Sequence, residues 1–266
     1  MKELLTLKSV SKAFGGLVAV DHLDMTIFEG QIYGLIGPNG AGKTTLFNCI
    51  SGLYRATEGE IYLRGERITK LSQPQIAQRG ICRTFQQLRL FKGMSVIDNV
   101  LVGAHIKGKA GAIGALLRTS AVKAEEKQLH EQAIYYLEML GLADKKDMFA
   151  KNLSYGDQRR VEVARALAAN PSLVLLDEPA AGMNLRESVE LTHFIEWIRT
   201  DLKKTILLIE HNMRVVMPIA DHVMVVNHGK KICEGTTAEV QNAPQVIEAY
   251  LGKAVLRKSG RGQANA

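Results

Sequence analysis

The chain has 266 residues, of which 46% are hydrophobic and 23% are charged, so it can bury the core of one or two globular domains. No apolar run approaches the roughly 18 residues of a membrane-spanning helix, and the amino terminus lacks the apolar block of a signal peptide, so we expect a cytosolic chain. The three cysteines are widely spaced and the seven histidines show no paired spacing, so we expect neither a disulfide framework nor a structural metal. The net charge is +7, and part of it lies after residue 252. These basic residues could bind nucleic acid or anionic lipid, or could simply form a solvated tail.

Short apolar stretches near the amino terminus predict a small antiparallel β region. Apolar residues cluster at 4–10, and at 23–27 they alternate with polar ones, which is the period of a strand with one buried face. Phe14 lies between these stretches, beside two glycines. Its ring could stack on a nucleotide base or fill the core, and the residue by itself leaves both interpretations open.

The segment 37–45, GPNGAGKTT, fits the GxxxxGK[ST] pattern of a phosphate-binding loop. It lies between an apolar run at 32–36 and a helical pattern that ends near Gly52, which is the strand, loop and helix context that the motif requires. Glycines let backbone N–H groups converge on phosphate oxygens, Lys43 would bridge the β- and γ-phosphates, and the Thr44 hydroxyl would bind Mg²⁺. The alternative is a glycine-rich turn before an ordinary helix. The residues expected around the phosphates are Gly37, Pro38, Asn39, Gly40, Ala41, Gly42, Lys43, Thr44 and Thr45.

The central part of the chain predicts an inserted helical region. Strand patterns recur at 60–63 and 80–85 and then fade, and residues 123–142 place Leu129, Ala133, Leu137 and Leu140 on one helical face. The intervening segment 103–120 is rich in Gly, Ala and Lys, and we interpret it as a mobile loop or a short helix.

Strand and helix patterns alternate again in the last third of the chain. Strands are predicted at 173–176, 205–209 and 222–226, with a helix around Leu191 to Ile198, and Pro244 opens a last short helix. The predicted fold is therefore α/β: a P-loop NTPase core whose parallel sheet is flanked by helices, with the N-terminal antiparallel region and the helical insertion. The predicted divisions are a core of 1–86 and 160–240, a helical subdomain of 87–159, and a C-terminal helix with a basic tail at 241–266.

Two acidic residues follow the apolar strand at 173–176. Asp177 at the carboxyl end of a buried strand would reach Mg²⁺ or its water shell, which is where open α/β sheets bind ligands. Glu178 is then the candidate general base for water. The alternative is an ordinary strand end followed by a helix cap.

Two further residues are weaker candidates. His211 follows the strand at 205–209, so its imidazole should emerge at the same sheet edge and could bond the γ-phosphate, although a lone histidine there is more often a surface residue. Gln86 ends a strand just before the helical insertion, where its amide could touch Mg²⁺ or water while its backbone acts as a hinge.

The segment 153–158, LSYGDQ, completes a set of motifs that resembles the ATP-binding subunit of ABC transporters over residues 4–251. Locally, Ser154 is an ordinary helix N-cap. The resemblance implies instead that Ser154 and Gly156 bind the γ-phosphate of ATP held by a second subunit. It also implies that Phe14 stacks on adenine, that Gln86 is the Q-loop glutamine, that Asp177 and Glu178 form the Walker B pair, and that His211 is the switch histidine.

Two positions depart from the usual family pattern. Tyr155 replaces a glycine of the signature segment 153–158, and Asn184 stands where an aspartate is usual. With the stretch 83–91 and the ending VIEAYLG, these departures resemble the subgroup that powers branched-chain amino acid uptake, specifically its larger ATPase subunit. Subgroups that serve urea, amides or lipopolysaccharide transport are similar as well. Because no residue of this chain is expected to touch the transported molecule, the substrate is inferred from the resemblance only.

The resemblance implies a set of partners and a location. The cofactors are ATP and Mg²⁺. The partners are a second ATPase subunit, identical or a paralogue, two membrane permease subunits and, indirectly, a substrate-binding protein. The location is the cytoplasmic face of the cell membrane. Leu88, Leu90 and Phe91 would line the groove for a permease helix, or else belong to the core. The competing class is a soluble ABC ATPase of ribosomes or DNA, but the chain has a single cassette and no sustained heptads, so we expect no nucleic acid. A third interpretation is a regulator that binds ATP without hydrolysing it.

Overall fold

The computed structural model describes most of the chain, namely residues 1–84, 89–107 and 120–251. Within this part, no helix is both long enough and apolar enough to cross a lipid bilayer. Gln86 and Leu88, most of the segment 103–120, and the basic tail from Gly252 onward lie outside the described residues. What the sequence predicts for them stays a prediction.

The described chain forms two compact units. Met1–Leu71 and the chain from Ile195 onward form the first, and Ser72–Phe194 form the second. The division falls within a single helix, Leu185–Thr200. The three-part division drawn from the sequence also stays a prediction.

Strands and helices alternate along the chain, and their bounds are as follows. The described strands are β1 (Glu3–Phe14), β2 (Leu17–Phe28), β3 (Ile32–Ile36), β4 (Glu58–Leu63), β5 (Glu66–Arg67), β6 (Ile81–Arg83), β7 (Leu173–Asp177), β8 (Thr205–Ile209), β9 (His222–Asn227) and β10 (Lys230–Gly235). The described α-helices are α1 (Lys43–Ile50), α2 (Gln73–Gln78), α3 (Val96–Ala104), α4 (Ser120–Met139), α5 (Tyr155–Ala168), α6 (Leu185–Thr200), α7 (Met213–Val216), α8 (Thr237–Asn242) and α9 (Pro244–Leu251).

A four-stranded antiparallel sheet lies in the first unit, in the order β2, β1, β4, β5. Leu5 pairs with Ile27 and Leu7 with Met25, and all four side chains are buried. The period of two residues places these apolar side chains on one face, where burial stabilises the pairing. The predicted N-terminal antiparallel region is confirmed.

A second sheet of the first unit places β3 between β8 and β9, parallel to both. Every residue of β3 and of β8 is buried, as expected for strands covered on both faces. The predicted parallel arrangement is confirmed for these strands. Sequence reasoning missed β10, which pairs antiparallel with β9 and makes this sheet mixed. The sequence pattern of β10 is weak because this strand is largely polar and only partly buried.

The second unit combines the parallel pair β6 and β7 with helices. The predicted helix at 123–142 is confirmed as α4, although it ends at Met139, and Ala133 and Leu137 are buried on its inner face. Helices α3 and α5 approach closely at Gly103, where a Cβ atom would lie 1.9 Å from the carbonyl oxygen of Arg165. Glycine at this position therefore sets how closely the two helices pack.

Candidate functional site

The phosphate-binding motif lies between β3 and α1, in the predicted strand, loop and helix arrangement. The five residues of β3 are buried, and Leu46, Phe47 and Ile50 bury one face of α1. Gly42 is the N-cap residue of α1, so the amino-terminal end of the helix points into the loop. Backbone N–H groups at such an end attract anions.

At two positions of the loop, any residue other than glycine would clash with the neighbouring backbone. Gly37 has φ 152°, and a Cβ atom there would lie 2.0 Å from the carbonyl oxygen of Val226. Gly42 has φ 101°, and its Cβ would lie 2.2 Å from the carbonyl oxygen of Ala19. The motif glycines are thus required by the neighbouring backbone as well as by the approach of a phosphate.

Lys43 directs its ammonium group into the loop. Its side chain is only 5% exposed, and Nζ donates hydrogen bonds to the carbonyl oxygens of Gly37 at 2.6 Å and Pro38 at 2.9 Å. Thr44 is exposed and Thr45 is half-buried. The loop therefore holds a cation at its centre and a hydroxyl at its surface, the two groups that a bound phosphate and its metal would need.

The C-terminal helix α9 reaches the same loop, which sequence reasoning missed. A cavity of about 480 Å³ is lined by loop residues 38–41, by the turn at Asn227 and His228, and by Gln245 and Glu248 of α9. The hydroxyl of Tyr250 is buried beside the backbone of Gly37. Burial raises the pKa of Tyr250 to about 12, and the Gly37 backbone partly opposes that rise.

Phe14 lies at the end of β1 and is 43% exposed, so it does not fill the core. Its ring meets Tyr54 edge to face with centroids 5.2 Å apart, and Lys12 Nζ lies 4.8 Å from its centroid. An exposed ring that is held by two neighbours is suited to stacking. Its contact with a base stays a prediction.

His211 follows β8 and is exposed. Because β3 and β8 are parallel, with Leu35 opposite Ile209, the loop after β3 and the segment after β8 leave the same edge of the sheet. The first unit therefore brings His211 to the edge that carries the phosphate-binding loop, as expected for ligand sites in α/β sheets. The role of His211 stays a prediction.

Asp177 and Glu178 belong to the second unit. The Asp177 side chain is 1% exposed, and one oxygen accepts a hydrogen bond from the Arg83 guanidinium at 3.2 Å. The Asp177 N–H donates to Thr84 Oγ1 at 3.4 Å. Glu178 has φ 46°, a left-handed backbone that is strained for a residue other than glycine, and such strain is typical of functional sites. The partner Arg83 was not predicted from the sequence, where it was only part of a short strand.

The signature segment 153–158 begins α5. Ser154 caps the helix, and its Oγ accepts a hydrogen bond from the Asp157 N–H at 3.2 Å. Tyr155 is 50% exposed, and its hydroxyl accepts a hydrogen bond from Arg159 at 3.0 Å. A Cβ atom at Gly156 would meet nothing within 4 Å. The second unit itself therefore does not require glycine at this position.

Asp157 fixes the start of α5 to the preceding loop. Lys145 Nζ lies 2.8 Å from its carboxylate. Burial by itself would raise the pKa of Asp157, but the hydrogen bonds from Lys145 and Ser154 together bring that pKa below its ordinary value. The carboxylate thus stays ionised, which stabilises the amino-terminal end of the helix.

The predicted metal ligands supply oxygen donors, the type that Mg²⁺ prefers. They are the exposed hydroxyl of Thr44 and the buried carboxylate of Asp177, while Gln86 lies outside the described residues. No group of three or more His, Cys, Asp or Glu in the described part of the chain could hold a metal. Each of these donors is of a type suited to a magnesium ion that takes most of its ligands from phosphates and water.

Comparison with known proteins places this geometry in a family. A family model described as ABC transporter matches residues 20–181, more than half of the chain. The chain belongs to the ABC transporter family. A second model, described as a branched-chain amino acid ATP-binding cassette transporter, matches residues 230–255. In this ABC cassette the second match includes β10 and α9, so it contains the helix whose Tyr250 lies against the phosphate-binding loop.

Relatives are similar over almost the whole cassette. LivG of Salmonella typhimurium, a high-affinity branched-chain amino acid transport ATP-binding protein, is 46% identical over 94% of this chain and 98% of its own length. BraF of Pseudomonas aeruginosa, which carries the same description, is 42% identical over 95% of this chain and 99% of its own. The solved ADP conformation of MJ1267, an ATP-binding cassette of an ABC transporter, is 32% identical with a TM-score of 0.83 and covers 95% of this chain and 100% of its own. The predicted α/β fold class is confirmed.

Proposed function

We propose that the chain is the ATP-hydrolysing subunit of an ABC importer for branched-chain amino acids. The observation that carries the proposal is the 46% identity to LivG over 94% of this chain and 98% of that protein. The match at residues 230–255 supports the same substrate class, since its family is defined by branched-chain amino acid transport. The urea, amide, lipopolysaccharide and soluble alternatives are not favoured.

ATP would bind with its phosphates on the loop 37–45. Lys43 would exchange its hydrogen bonds to the Gly37 and Pro38 carbonyls for bonds to phosphate oxygens, which are stronger because the acceptor is charged. Thr44 and Asp177 would hold Mg²⁺, with Gln86 completing the site. When bound, the metal would neutralise negative charge on the phosphates.

Hydrolysis requires a water molecule and a group that accepts its proton. Glu178 would act as the general base, since it directly follows Asp177 at the end of strand β7. His211 would donate a hydrogen bond to the γ-phosphate, and Gln86 would help to orient the water. Phe14 would stack on the adenine ring.

Two copies of the cassette, identical or paralogous, would complete each other's sites. Ser154 and Gly156 of one copy would bind the γ-phosphate held by the partner, and the open space at Gly156 supports such an approach. ATP would favour the closed pair because it binds that state more tightly, and hydrolysis would release it. Closure would act on two permease subunits at the cytoplasmic face of the membrane, which in turn receive substrate from a binding protein.

Transport assays test the substrate and the partners. The chain would be co-purified with its permease subunits, reconstituted in liposomes with the binding protein, and supplied with ATP and labelled leucine, isoleucine or valine. We expect ATP-dependent uptake of these amino acids and not of urea or acetamide. Co-purification with ribosomes or nucleic acid in place of membrane proteins would contradict the proposal.

Replacing the proposed base tests hydrolysis. Glu178→Gln should keep nucleotide affinity but reduce steady-state phosphate release by at least about 100-fold, because an amide cannot accept the proton of water. The control is Glu131→Gln on α4, whose side chain is 65% exposed beside Lys127. Phosphate release at the wild-type rate in Glu178→Gln would show that another group is the base.

A further inference from the structure

Strands β6 and β7 end side by side, and each contributes one charged residue to the same point. Arg83 is the last residue of β6 and pairs in register with Leu175, two residues before Asp177 at the end of β7. The guanidinium donates a hydrogen bond to Asp177 Oδ2 at 3.2 Å. The Arg83 side chain is 9% exposed and that of Asp177 is 1% exposed. The pair is therefore largely shielded from water.

Thr84 fixes the geometry of this pair. Its backbone N–H donates to the Leu175 carbonyl oxygen at 2.9 Å, and its hydroxyl accepts from the Asp177 N–H at 3.4 Å. These bonds hold the two strand ends at a set separation. The guanidinium consequently reaches the carboxylate from a rigid base rather than from a loop.

Removing one partner of a buried ion pair is strongly destabilising, because it leaves the other charge uncompensated away from water. Arginine carries a positive charge at neutral pH. The Arg83 guanidinium thus places a positive charge directly against the buried Asp177 carboxylate.

The proposed function assigns Asp177 to Mg²⁺, and this inference rests on that assignment. We propose that Arg83 is a positioning residue that occupies the metal-binding carboxylate before the cation arrives, and that Arg83 and Mg²⁺ compete for its charge. One consequence is that the apparent affinity for Mg²⁺ is weaker than the carboxylate would give by itself.

The decisive variant removes the guanidinium but keeps the bulk. In Arg83→Met, the Mg²⁺ concentration that gives half of the change in mant-ADP fluorescence should fall by at least about threefold, because the competing charge is gone. Arg83→Lys retains a cation and should stay within about twofold of the wild type. A surface pair provides the control: Arg67→Met loses its 2.9 Å contact with Glu60 and should not change the Mg²⁺ response.

A second measurement does not depend on nucleotide. Mg²⁺ alone should raise the melting temperature of Arg83→Met more than that of the wild type, since the metal replaces the missing charge beside Asp177. Equal Mg²⁺ midpoints and equal melting shifts in Arg83→Met and wild type would overturn the inference.

Loss of folding in Arg83→Met also has a defined meaning. The double variant Arg83→Met/Asp177→Asn removes both charges, so it should fold even if Arg83→Met does not. A double variant that is as unstable as Arg83→Met would overturn the inference, because the deficit would then not come from the uncompensated carboxylate. Asp177→Asn separates the failure of this inference from the failure of the proposed function. If Asp177→Asn leaves the Mg²⁺ midpoint unchanged, the assignment of Asp177 to the metal is wrong. If Asp177→Asn changes the midpoint but Arg83→Met does not, only the role of Arg83 is refuted.

Discussion

At the scale of single residues, the phosphate-binding loop keeps its cation ready by bonding it to its own backbone. Lys43 is almost fully buried, and the carbonyl oxygens of Gly37 and Pro38 accept its hydrogen bonds. Carbonyl oxygens are neutral acceptors, so charged phosphate oxygens that replace them would form stronger hydrogen bonds with the ammonium group. The lysine is thus held in position before any ligand arrives, which reduces the entropy lost on binding.

Removing that cation tests the loop directly. Lys43→Ala should weaken the binding of mant-ATP by at least about tenfold, because a charge-assisted contact with the phosphates is lost. Lys70→Ala, at an exposed position of the same unit, serves as the control and should bind normally. Affinity that survives in Lys43→Ala would mean that nucleotide binds elsewhere.

The sequence predicted individual site residues unevenly. The positions of Lys43 and Thr44 at the start of a helix were predictable because a fixed spacing encodes backbone geometry, and that of Asp177 at a strand end because it follows an apolar run. Arg83 and Tyr250 were not, since each meets its partner across a long stretch of chain and has no local pattern of its own. Contacts between residues that are distant in sequence depend on the tertiary fold, which periodicity does not encode.

At the scale of elements, the packing of α3 on α5 is set by one residue. Gly103 allows the helices to approach until its Cα faces the Arg165 carbonyl, where a Cβ atom would lie at 1.9 Å. Such contacts between glycine and a neighbouring backbone are rigid, because no side chain can rotate away. The helix that carries the signature segment therefore depends on a glycine located elsewhere.

A single methyl group should disturb this contact. Gly103→Ala should lower the free energy of unfolding by about 1–3 kcal/mol, because one backbone must move to relieve the overlap. Urea denaturation followed by circular dichroism measures the change. Gly93→Ala is the matched control, since a Cβ atom there meets nothing within 4 Å. If both variants unfold at the same urea concentration, the close contact does not determine packing.

The elements themselves followed the patterns to different degrees. The buried strands β3 and β8 were predicted because each is a short run of mostly apolar residues. The helix α4 was predicted because its apolar residues share one face. The hairpin strand β10 was missed because its pairing with β9 uses backbone bonds that a polar sequence can make equally well.

At the scale of the whole molecule, two tyrosines with buried hydroxyls, Tyr33 and Tyr250, couple folding to alkaline pH. Tyr33 is fully buried and donates a hydrogen bond to Glu234 at 2.6 Å, and burial raises its pKa far above the ordinary value. The pKa of Tyr250 is raised to about 12, mainly by burial. Unfolded tyrosine titrates near pH 10, so above this pH the unfolded chain loses protons that the folded chain keeps.

The contribution of these two hydroxyls to stability should therefore be fully present below about pH 10 and should decline as the pH rises toward 12. Urea unfolding at a series of alkaline pH values measures the slope. Tyr250→Phe removes one of these hydroxyls and should give a shallower decline than the wild type. An identical decline in the variant would show that Tyr250 ionises in the folded protein as it does in the unfolded chain.

The helix Leu185–Thr200 belongs to both compact units, since the division between them falls inside it. The only tryptophan of the chain, Trp197, lies on this helix three residues beyond Phe194, in a half-buried environment. Its emission spectrum responds to polarity, and no second indole obscures it. The protein thus carries an intrinsic optical reporter on the helix that both units share, and nucleotide-dependent changes there can be followed in solution without attaching a dye.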